Sequence, residues 1–202
     1  MSNRTEITAI ILAAGSSSRM GEDDKLMMMI DNKPLLHRTV KNVCASDISK
    51  CIVVVRSGIE KYRALLVGFD VEIICATEAY KGMSASMKAG VNAAGEDAGG
   101  YLICLADMPD LTPNHINEIL STHQTGKIVR PKTDDGRYGH PVLFDQCYYS
   151  ELKNMSGDEG ARALIKSEQE NVIELEMDDA ILIDLDTPEA WASWTGGAKL
   201  KC

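Results

Sequence analysis

The sequence lacks the features that mark several classes of protein. Its 202 residues contain no apolar run of about 18 residues, so no segment is predicted to cross a membrane as a helix. The first residues, MSNRTEIT, include no apolar stretch of the secretory type, and we expect a cytoplasmic protein. The six cysteines show no CxxC spacing, so neither disulfides nor a zinc cluster are expected. A net charge of -9 argues against binding nucleic acid or an anionic membrane, because both require a positive field.

The composition, 45% hydrophobic and 25% charged, suits one globular domain over residues 1–202. Short runs rich in β-branched residues alternate with stretches of helical spacing, as in sheets buried on both faces. Repeated strand–helix–strand units predict right-handed crossovers and an α/β fold, a mostly parallel, doubly wound sheet with helices on both faces. The predicted strands are 6–13, 51–55, 71–75, 101–105, 127–130, 141–144, 172–175 and 181–185; the predicted helices are 34–46, 58–68, 83–95 and 112–122, two between 147 and 167, and one from Pro188.

A loop of small residues follows the first predicted strand, at the edge where open parallel sheets bind ligands. It lies within ILAAGSSSRMGEDDKL, residues 11–26. Successive small residues allow backbone N–H groups to face one anion, and Arg19 and Lys25 can add charge-assisted hydrogen bonds to phosphate. The spacing fits neither a P-loop nor a GxGxxG fingerprint. We interpret the loop as a triphosphate cradle; the alternative is an ordinary Ser/Gly connector.

Carboxylates follow two further predicted strands. Asp107 comes after 101–105 in ICLADMPDLTP, and Asp184 and Asp186 lie at the end of 181–185 in ILIDLDTPEAW. Carboxylates from two strand ends could share one Mg²⁺, which prefers oxygen ligands and bridges to substrate phosphates. The alternative for Asp107 is a turn cap, and Thr187 with Pro188 forms a helix start that leaves Asp186 unexplained.

Six ordered motifs, LAAGSSSRMG with Lys25, GMSASMKAG, CLADMPDLTP, GHPVLF, GDEGAR and IDLDTPEAW, resemble the MobA-like nucleotidyltransferase family. The resemblance is closest to its MocA-type molybdenum cofactor cytidylyltransferases and covers nearly the whole chain. It implies a Rossmann-like nucleotidyltransferase fold and Mg²⁺-dependent transfer of CMP from CTP to the phosphate of molybdopterin, with release of pyrophosphate. It also implies a nucleotide-binding part at about 1–110 and an acceptor-binding part at about 111–195; the polar, Gly-rich tail 196–202 is expected to be mobile.

The resemblance also assigns site residues. The catalytic residues are Arg19, Lys25 and Asp107, and the metal ligands are Asp107 and Asp186, with Asp184 as an alternative to Asp186. Acceptor binding falls to His140, Asp158 and Arg162, although Asp158 could be a helix cap and Arg162 could pair with a neighbouring carboxylate. Ala14 stands where guanylyltransferases usually carry glycine, which favours cytosine. The nucleotide-binding residues are Leu12, Ala13, Ala14, Gly15, Ser16, Ser17, Arg19, Lys25, Gly82, Met83, Ser84 and Ser86.

Other functions stay open at this point. A related transferase could use GTP, or a polyol or sugar phosphate as acceptor, and the stretch 130–165 shows no charged cluster that would decide. A different class of protein would be a non-catalytic molybdenum cofactor carrier that serves a molybdenum hydroxylase. A carrier has no need for a metal and triphosphate site, which favours the enzyme.

Overall fold

The computed structural model describes residues 6–15, 25–155 and 161–198. The strands are β1 (Ile7–Ala13), β2 (Met29–Ile30), β3 (Lys33–Pro34), β4 (Lys50–Val55), β5 (Glu72–Cys75), β6 (Gly100–Leu105), β7 (Ile128–Lys132), β8 (Val142–Asp145) and β9 (Val172–Glu176). The helices are α1 (Leu35–Cys44), α2 (Ile59–Leu65), α3 (Met83–Ala94), α4 (Pro113–Ser121), α5 (Tyr149–Asn154), α6 (Arg162–Ser167) and α7 (Pro188–Ala198).

Within the described residues, one seven-stranded sheet runs in the order β5-β4-β1-β6-β8-β7-β9, and β2 and β3 form a separate small hairpin. β8 is antiparallel to both of its neighbours, while the other six strands share one direction. The prediction of a mostly parallel sheet is therefore confirmed. The antiparallel β8 matters for function, because it brings the loop before it to the edge where the parallel strands end.

Helices cover both faces of the sheet, as predicted. Alternate residues of β1 point to opposite faces, so Ile11 joins one buried cluster and Ile10 the other. The first cluster packs against α1 and α4, and the second against α3, α5 and α6. No helix in the described ranges is long and apolar enough to span a bilayer.

The predicted strand 181–185 is wrong. Residues 179–181 form a 3-10 turn, and the residues that follow pair with no strand. The apolar pattern arises because Ile181 and Leu185 are buried beneath the sheet edge, each 1% exposed. Burial alone produces the same sequence pattern as a buried strand, so Asp184 and Asp186 lie on an irregular segment and not on one strand face.

Two helix boundaries also differ from prediction. Pro34 is the residue before α1 and not its first helical residue, because its ψ of 148° is extended. At the other end of the chain, α7 continues through residues 196–198, which the sequence assigned to the tail. Residues 199–202 lie outside the described part of the chain.

Candidate active site

A cavity of about 390 Å³ opens at the carboxyl ends of the central strands. Its position follows from the pairing of β1 with β6, which end side by side with Leu12 opposite Leu105. The volume is in the range of small-molecule sites. The cavity is lined by Leu12, Ala13, Ala14, Gly15, Lys25, Leu26, Arg56, Ala79, Tyr80, Gly82, Met83, Ser86, Leu105, Ala106, Asp107, Asp184 and Asp186.

The start of the predicted triphosphate cradle forms one wall. Ala13 and Ala14 are buried, while Gly15 is exposed, and a Cβ built on Gly15 would meet nothing within 4 Å. The backbone at this point is therefore open to an approaching ligand. Ser16, Ser17 and Arg19 lie outside the described residues, so their part in the cradle stays a prediction.

Lys25 and Asp107 meet at the centre of the cavity. Lys25 Nζ donates to Asp107 Oδ2 at 2.5 Å, and the two side chains are 15% and 13% exposed. This partial burial shields the pair from solvent and strengthens its electrostatic interactions. The contact joins two residues that are 82 positions apart in the sequence.

Helix α1 fixes the loop that carries Asp107. Thr39 Oγ1 donates to the Ala106 carbonyl at 2.9 Å, and Arg38 Nε donates to the Pro109 carbonyl at 2.9 Å. Asp107 is not the N-cap of α4, because Thr112 caps that helix in a reciprocal arrangement with His115. Asp107 is therefore held in the cavity by its loop and is available for other contacts.

Asp184 and Asp186 reach the cavity through a backbone tether. The Leu185 N–H donates to the Asp107 carbonyl at 3.1 Å, which holds the irregular segment against the loop after β6. Burial raises the pKa of Asp184, and the negative charges of Asp107 and Asp186 raise it further, while Lys25 opposes them. The three carboxylates thus lie close enough to repel one another. Thr187 accepts from the Ala190 N–H at 3.1 Å, which confirms the predicted helix start.

These carboxylates fit a divalent cation. Repulsion among three acids around one lysine is relieved by a bound cation, and carboxylate oxygens are the ligands that Mg²⁺ prefers. No three His, Cys, Asp or Glu side chains in the described ranges converge closely enough to hold a metal ion alone. A site with fewer than three converging protein ligands suits Mg²⁺, which is usually bound by one or two carboxylates together with waters and substrate phosphates.

The beginning of α3 forms the opposite wall. Gly82 precedes the helix with a φ of 111°, a conformation that favours glycine, and Met83 and Ser86 line the cavity beside it. Ser84 does not line this cavity; it is buried and borders a separate depression next to Thr77. Consecutive helical residues turn through about a quarter of a circle, so residues 84 and 86 cannot share one direction.

Two of the residues assigned to the acceptor, His140 and Arg162, do not line the cavity. The His140 N–H donates to the Ile181 carbonyl at 3.0 Å, and burial lowers the pKa of its imidazole. Its Nδ1 is buried and has no hydrogen-bond partner among the residues that the structure describes. Arg162 is exposed at the start of α6, and Asp158 lies outside the described residues. The three acceptor assignments stay predictions.

Six lining residues were not predicted from the sequence, and two of them, Arg56 and Tyr80, have side chains that can contact a ligand; the other four are Leu26, Ala79, Leu105 and Ala106. Arg56 follows β4 directly, and a basic residue at the end of a buried parallel strand could have marked it. Tyr80 is 68% exposed and precedes Gly82 closely, so an aromatic residue beside the GMSAS motif was the available signal. An exposed aromatic ring at a cavity can stack on a nucleobase.

A domain family described as the MobA-like NTP transferase domain matches residues 9–172. The chain belongs to the MobA-like NTP transferases. Relatives of similar sequence include the purine catabolism protein PucB of Bacillus subtilis, 30% identical over 92% of this chain and 94% of PucB. The molybdenum cofactor cytidylyltransferase of Escherichia coli is 28% identical over 91% of this chain and 92% of the relative. The nicotine blue oxidoreductase of Paenarthrobacter nicotinovorans is 25% identical over 79% and 81%.

Solved structures support the Rossmann-like fold of this MobA-like transferase. Rv0371c from Mycobacterium tuberculosis superposes with a TM-score of 0.83 at 24% identity, over 95% of this chain and 98% of the other. The same protein has been solved in complex with manganese, with a TM-score of 0.79 at 23% identity, over 94% and 97%. A nucleotidyl transferase from Methanothermobacter has a TM-score of 0.81 at 20% identity, over 98% and 99%.

Proposed function

We propose that this MobA-like nucleotidyltransferase transfers CMP from CTP to the phosphate of molybdopterin and releases pyrophosphate, with Mg²⁺ as the metal. The observation that supports it most is the single cavity in which the loop after β1, Lys25 and Asp107 meet beside Asp184 and Asp186. One relative, the nicotine blue oxidoreductase, is named for a redox reaction, so similarity in sequence does not define the reaction by itself. The proposal therefore rests on these charged groups.

The reaction needs charge compensation and alignment more than a base. The phosphate monoester of the acceptor is already ionised at neutral pH, so its oxygen can attack the α-phosphorus directly. A new P–O bond forms there, the bond from the α-phosphorus to the bridging oxygen breaks, and pyrophosphate leaves with the electron pair. Repulsion between two anions is the main obstacle, and positioning them in line supplies much of the catalysis.

The residues of the cavity, together with Arg19, each have a part in this scheme. Backbone N–H groups near Gly15 hold the triphosphate, and Lys25 donates to its oxygens as negative charge builds on the leaving group. Asp107 and Asp186, with Asp184 beside them, would hold the cation. When bound there, Mg²⁺ would neutralise charge on the triphosphate oxygens. Arg19 is assigned to the same triphosphate as a second cation.

We assign cytosine as the base because of Ala14. Its side chain is 2% exposed and lies in the cavity wall, so its methyl group limits the depth available to the base. A preference for GTP would need a deeper pocket, because guanine is a purine and is larger than cytosine. The alternative nucleotide, GTP, is supported by relatives named molybdenum cofactor guanylyltransferase.

The test is incubation of the protein with Mg²⁺, labelled CTP or GTP, and molybdopterin. Labelled dinucleotide from CTP supports the proposal, whereas dinucleotide from GTP alone reverses the base assignment. Transfer to a polyol or sugar phosphate, and not to molybdopterin, would change the acceptor. Tight binding of molybdopterin without transfer from either nucleotide would refute the enzyme and favour the carrier.

A further inference from the structure

A second depression, of about 530 Å³, lies between the outer strands of the sheet and α6. It collects three basic side chains that are distant in the sequence: Arg130 on β7, and Arg162 and Lys166 one turn apart on α6. In the sequence, the stretch 130–165 shows no charged cluster that would decide the acceptor. In the structure, α6 packs over the strand that carries Arg130, which brings residues 32 or more positions apart together.

The acid that lines this depression is Glu174, whose charge acts on Arg130 but is shared with two other partners. Glu174 forms a salt bridge with Lys132, outside the depression, and accepts a hydrogen bond from the Tyr138 hydroxyl. Among the residues that the structure describes, Arg130, Arg162 and Lys166 take part in no salt bridge. A local excess of positive charge is notable in a chain with a net charge of -9.

Arg130 is held in place by an aromatic ring. Its guanidinium carbon lies 3.8 Å from the centre of the Tyr138 ring, a cation–π contact, and the hydroxyl of that tyrosine is fixed by Glu174. The pKa of Arg130 is lowered, mainly by burial and also by the nearby charge of Arg162. Two guanidinium groups held near each other repel, and an anion between them removes that repulsion.

The depression shares no lining residue with the active-site cavity, but the strand order places the two near each other. In the order β6-β8-β7-β9, Asp107 follows β6, His140 precedes β8, and Arg130 lies on β7. Neighbouring strands are about 4.8 Å apart, so β7 lies about 10 Å from β6. The pKa of His140 is lowered mainly by burial, and the charges of Asp107, Arg130 and Arg162 also influence it. The helix α3 of the cavity and α6 cover the same face of the sheet.

We propose that Arg130, Arg162 and Lys166 bind an anionic oxygen group of the acceptor substrate, with Tyr138 positioning Arg130. The inference rests on the proposed function, because it takes the adjoining cavity to hold the nucleotide. The anionic group is either the attacking phosphate or a second group farther along the acceptor.

The first experiment needs no enzyme activity. Inorganic phosphate is titrated into the full-length protein while the side-chain Nε–H signals of its arginines are followed by NMR. The proposal expects saturable shifts of the Arg130 and Arg162 signals, with no comparable shift for Arg63, which pairs with Glu60 on the exposed surface of α2. Unshifted Arg130 and Arg162 signals at millimolar phosphate, or equal shifts of Arg63, would overturn it.

The second experiment measures acceptor binding directly. Arg130→Gln and Arg162→Gln should each weaken molybdopterin binding about tenfold, since losing one charge-assisted hydrogen bond costs about that factor. Arg63→Gln is the matched control and should bind as the wild type does. CTP affinity should stay unchanged in all three, and thermal unfolding checks that the variants remain folded. Unchanged molybdopterin affinity in both folded variants would overturn the proposal.

Dephosphorylated molybdopterin separates the two sources of the anion. If Arg130→Gln weakens only the intact acceptor, the depression holds the attacking phosphate; if it weakens both forms, it holds a second anionic group. A wild type that binds molybdopterin but transfers no nucleotide would contradict the proposed function alone. The phosphate titration would still decide whether the basic depression is an anion site.

Discussion

Asp107→Asn tests the central claim, because it removes one negative charge and leaves the side chain almost unchanged in shape. Two unit charges about 4 Å apart interact by about 4 kcal/mol at an effective dielectric constant of about 20. That regime applies here because the Asp107 side chain is only 13% exposed. Removing an electrostatic contribution of this kind from an active site typically costs about 3–4 kcal/mol, so we expect turnover to fall roughly 100-fold to 1,000-fold.

The cost to folding should be much smaller. The substitution breaks the salt bridge to Lys25, but Asp184 and Asp186 remain nearby to offset the lysine charge. We expect a loss of about 1–2 kcal/mol from a free energy of unfolding of about 5–15 kcal/mol, so the variant should stay folded. A fall in activity together with an intact unfolding transition would therefore report on the site.

The matched control is Asp110→Asn, the same change three residues along the same loop. Asp110 accepts a hydrogen bond from Trp194 Nε1 at 3.0 Å, which an asparagine oxygen can also accept, and it does not line the cavity. Two measurements follow: pyrophosphate release with CTP, Mg²⁺ and molybdopterin, and calorimetric CTP binding with Mg²⁺ or with a chelator. The tighter binding that Mg²⁺ gives should disappear only in Asp107→Asn. Near-normal turnover in that variant, or an equal loss in both, would refute the reasoning.

Three further predictions concern the base, the packing and the pH dependence. Ala14→Gly should shift the ratio of kcat/KM for CTP to that for GTP toward GTP by about tenfold or more, because the pocket deepens by one methyl group; an unchanged ratio would remove the argument for cytosine. Gly139→Ala should lower the free energy of unfolding by about 1–3 kcal/mol or more, because the added Cβ would collide with the Ile181 carbonyl, and an unchanged denaturation curve would contradict that contact. Burial holds the pKa of His140 below its ordinary 6.5, so the unfolded chain binds its proton first and this residue makes stability fall as the pH drops below 6.5. Urea denaturation across that range should show a weaker pH dependence of the free energy of unfolding in His140→Gln than in the wild type. His37, whose pKa is also lowered, is present in both proteins and contributes equally to both. An equal pH dependence in the two proteins would count against a buried neutral imidazole at His140.

The sequence predicted the fold class and the location of the site. Buried strands such as β1 and β6 are nearly continuous apolar runs, so their existence and type could be predicted directly. Parallel strands place their carboxyl ends at one edge. The loop after β1, Lys25 and Asp107 were therefore expected to meet, and the structure brings Lys25 and Asp107 into contact. The family followed from six motifs in order, and its assignment is confirmed.

The apolar sequence pattern gave a wrong prediction at residues 181–185, where the apolar residues are buried without belonging to a strand. Ile181 and Leu185 are apolar because they pack under the sheet edge, and no periodicity distinguishes such a segment from a strand. Ser84 was predicted to contact the nucleotide with its neighbours, but it lines a different depression from the cavity that Ser86 lines, so its role stays a prediction. In both cases the residue types fit the prediction. Neighbouring residues did not determine whether 181–185 would pair with a strand, or which depression Ser84 would line.

The sequence by itself determined which chemical groups the protein owns and which of them follow a strand end. Only the tertiary structure decided which groups face one another: the Leu185 N–H on the Asp107 carbonyl brings the last two acids to the first, and α6 packing over β7 gathers Arg130 with Arg162. The physical reason is that strand types and turns arise from neighbouring residues. Contacts between distant segments depend on strand order, on the reversed direction of β8 and on the face that each helix covers.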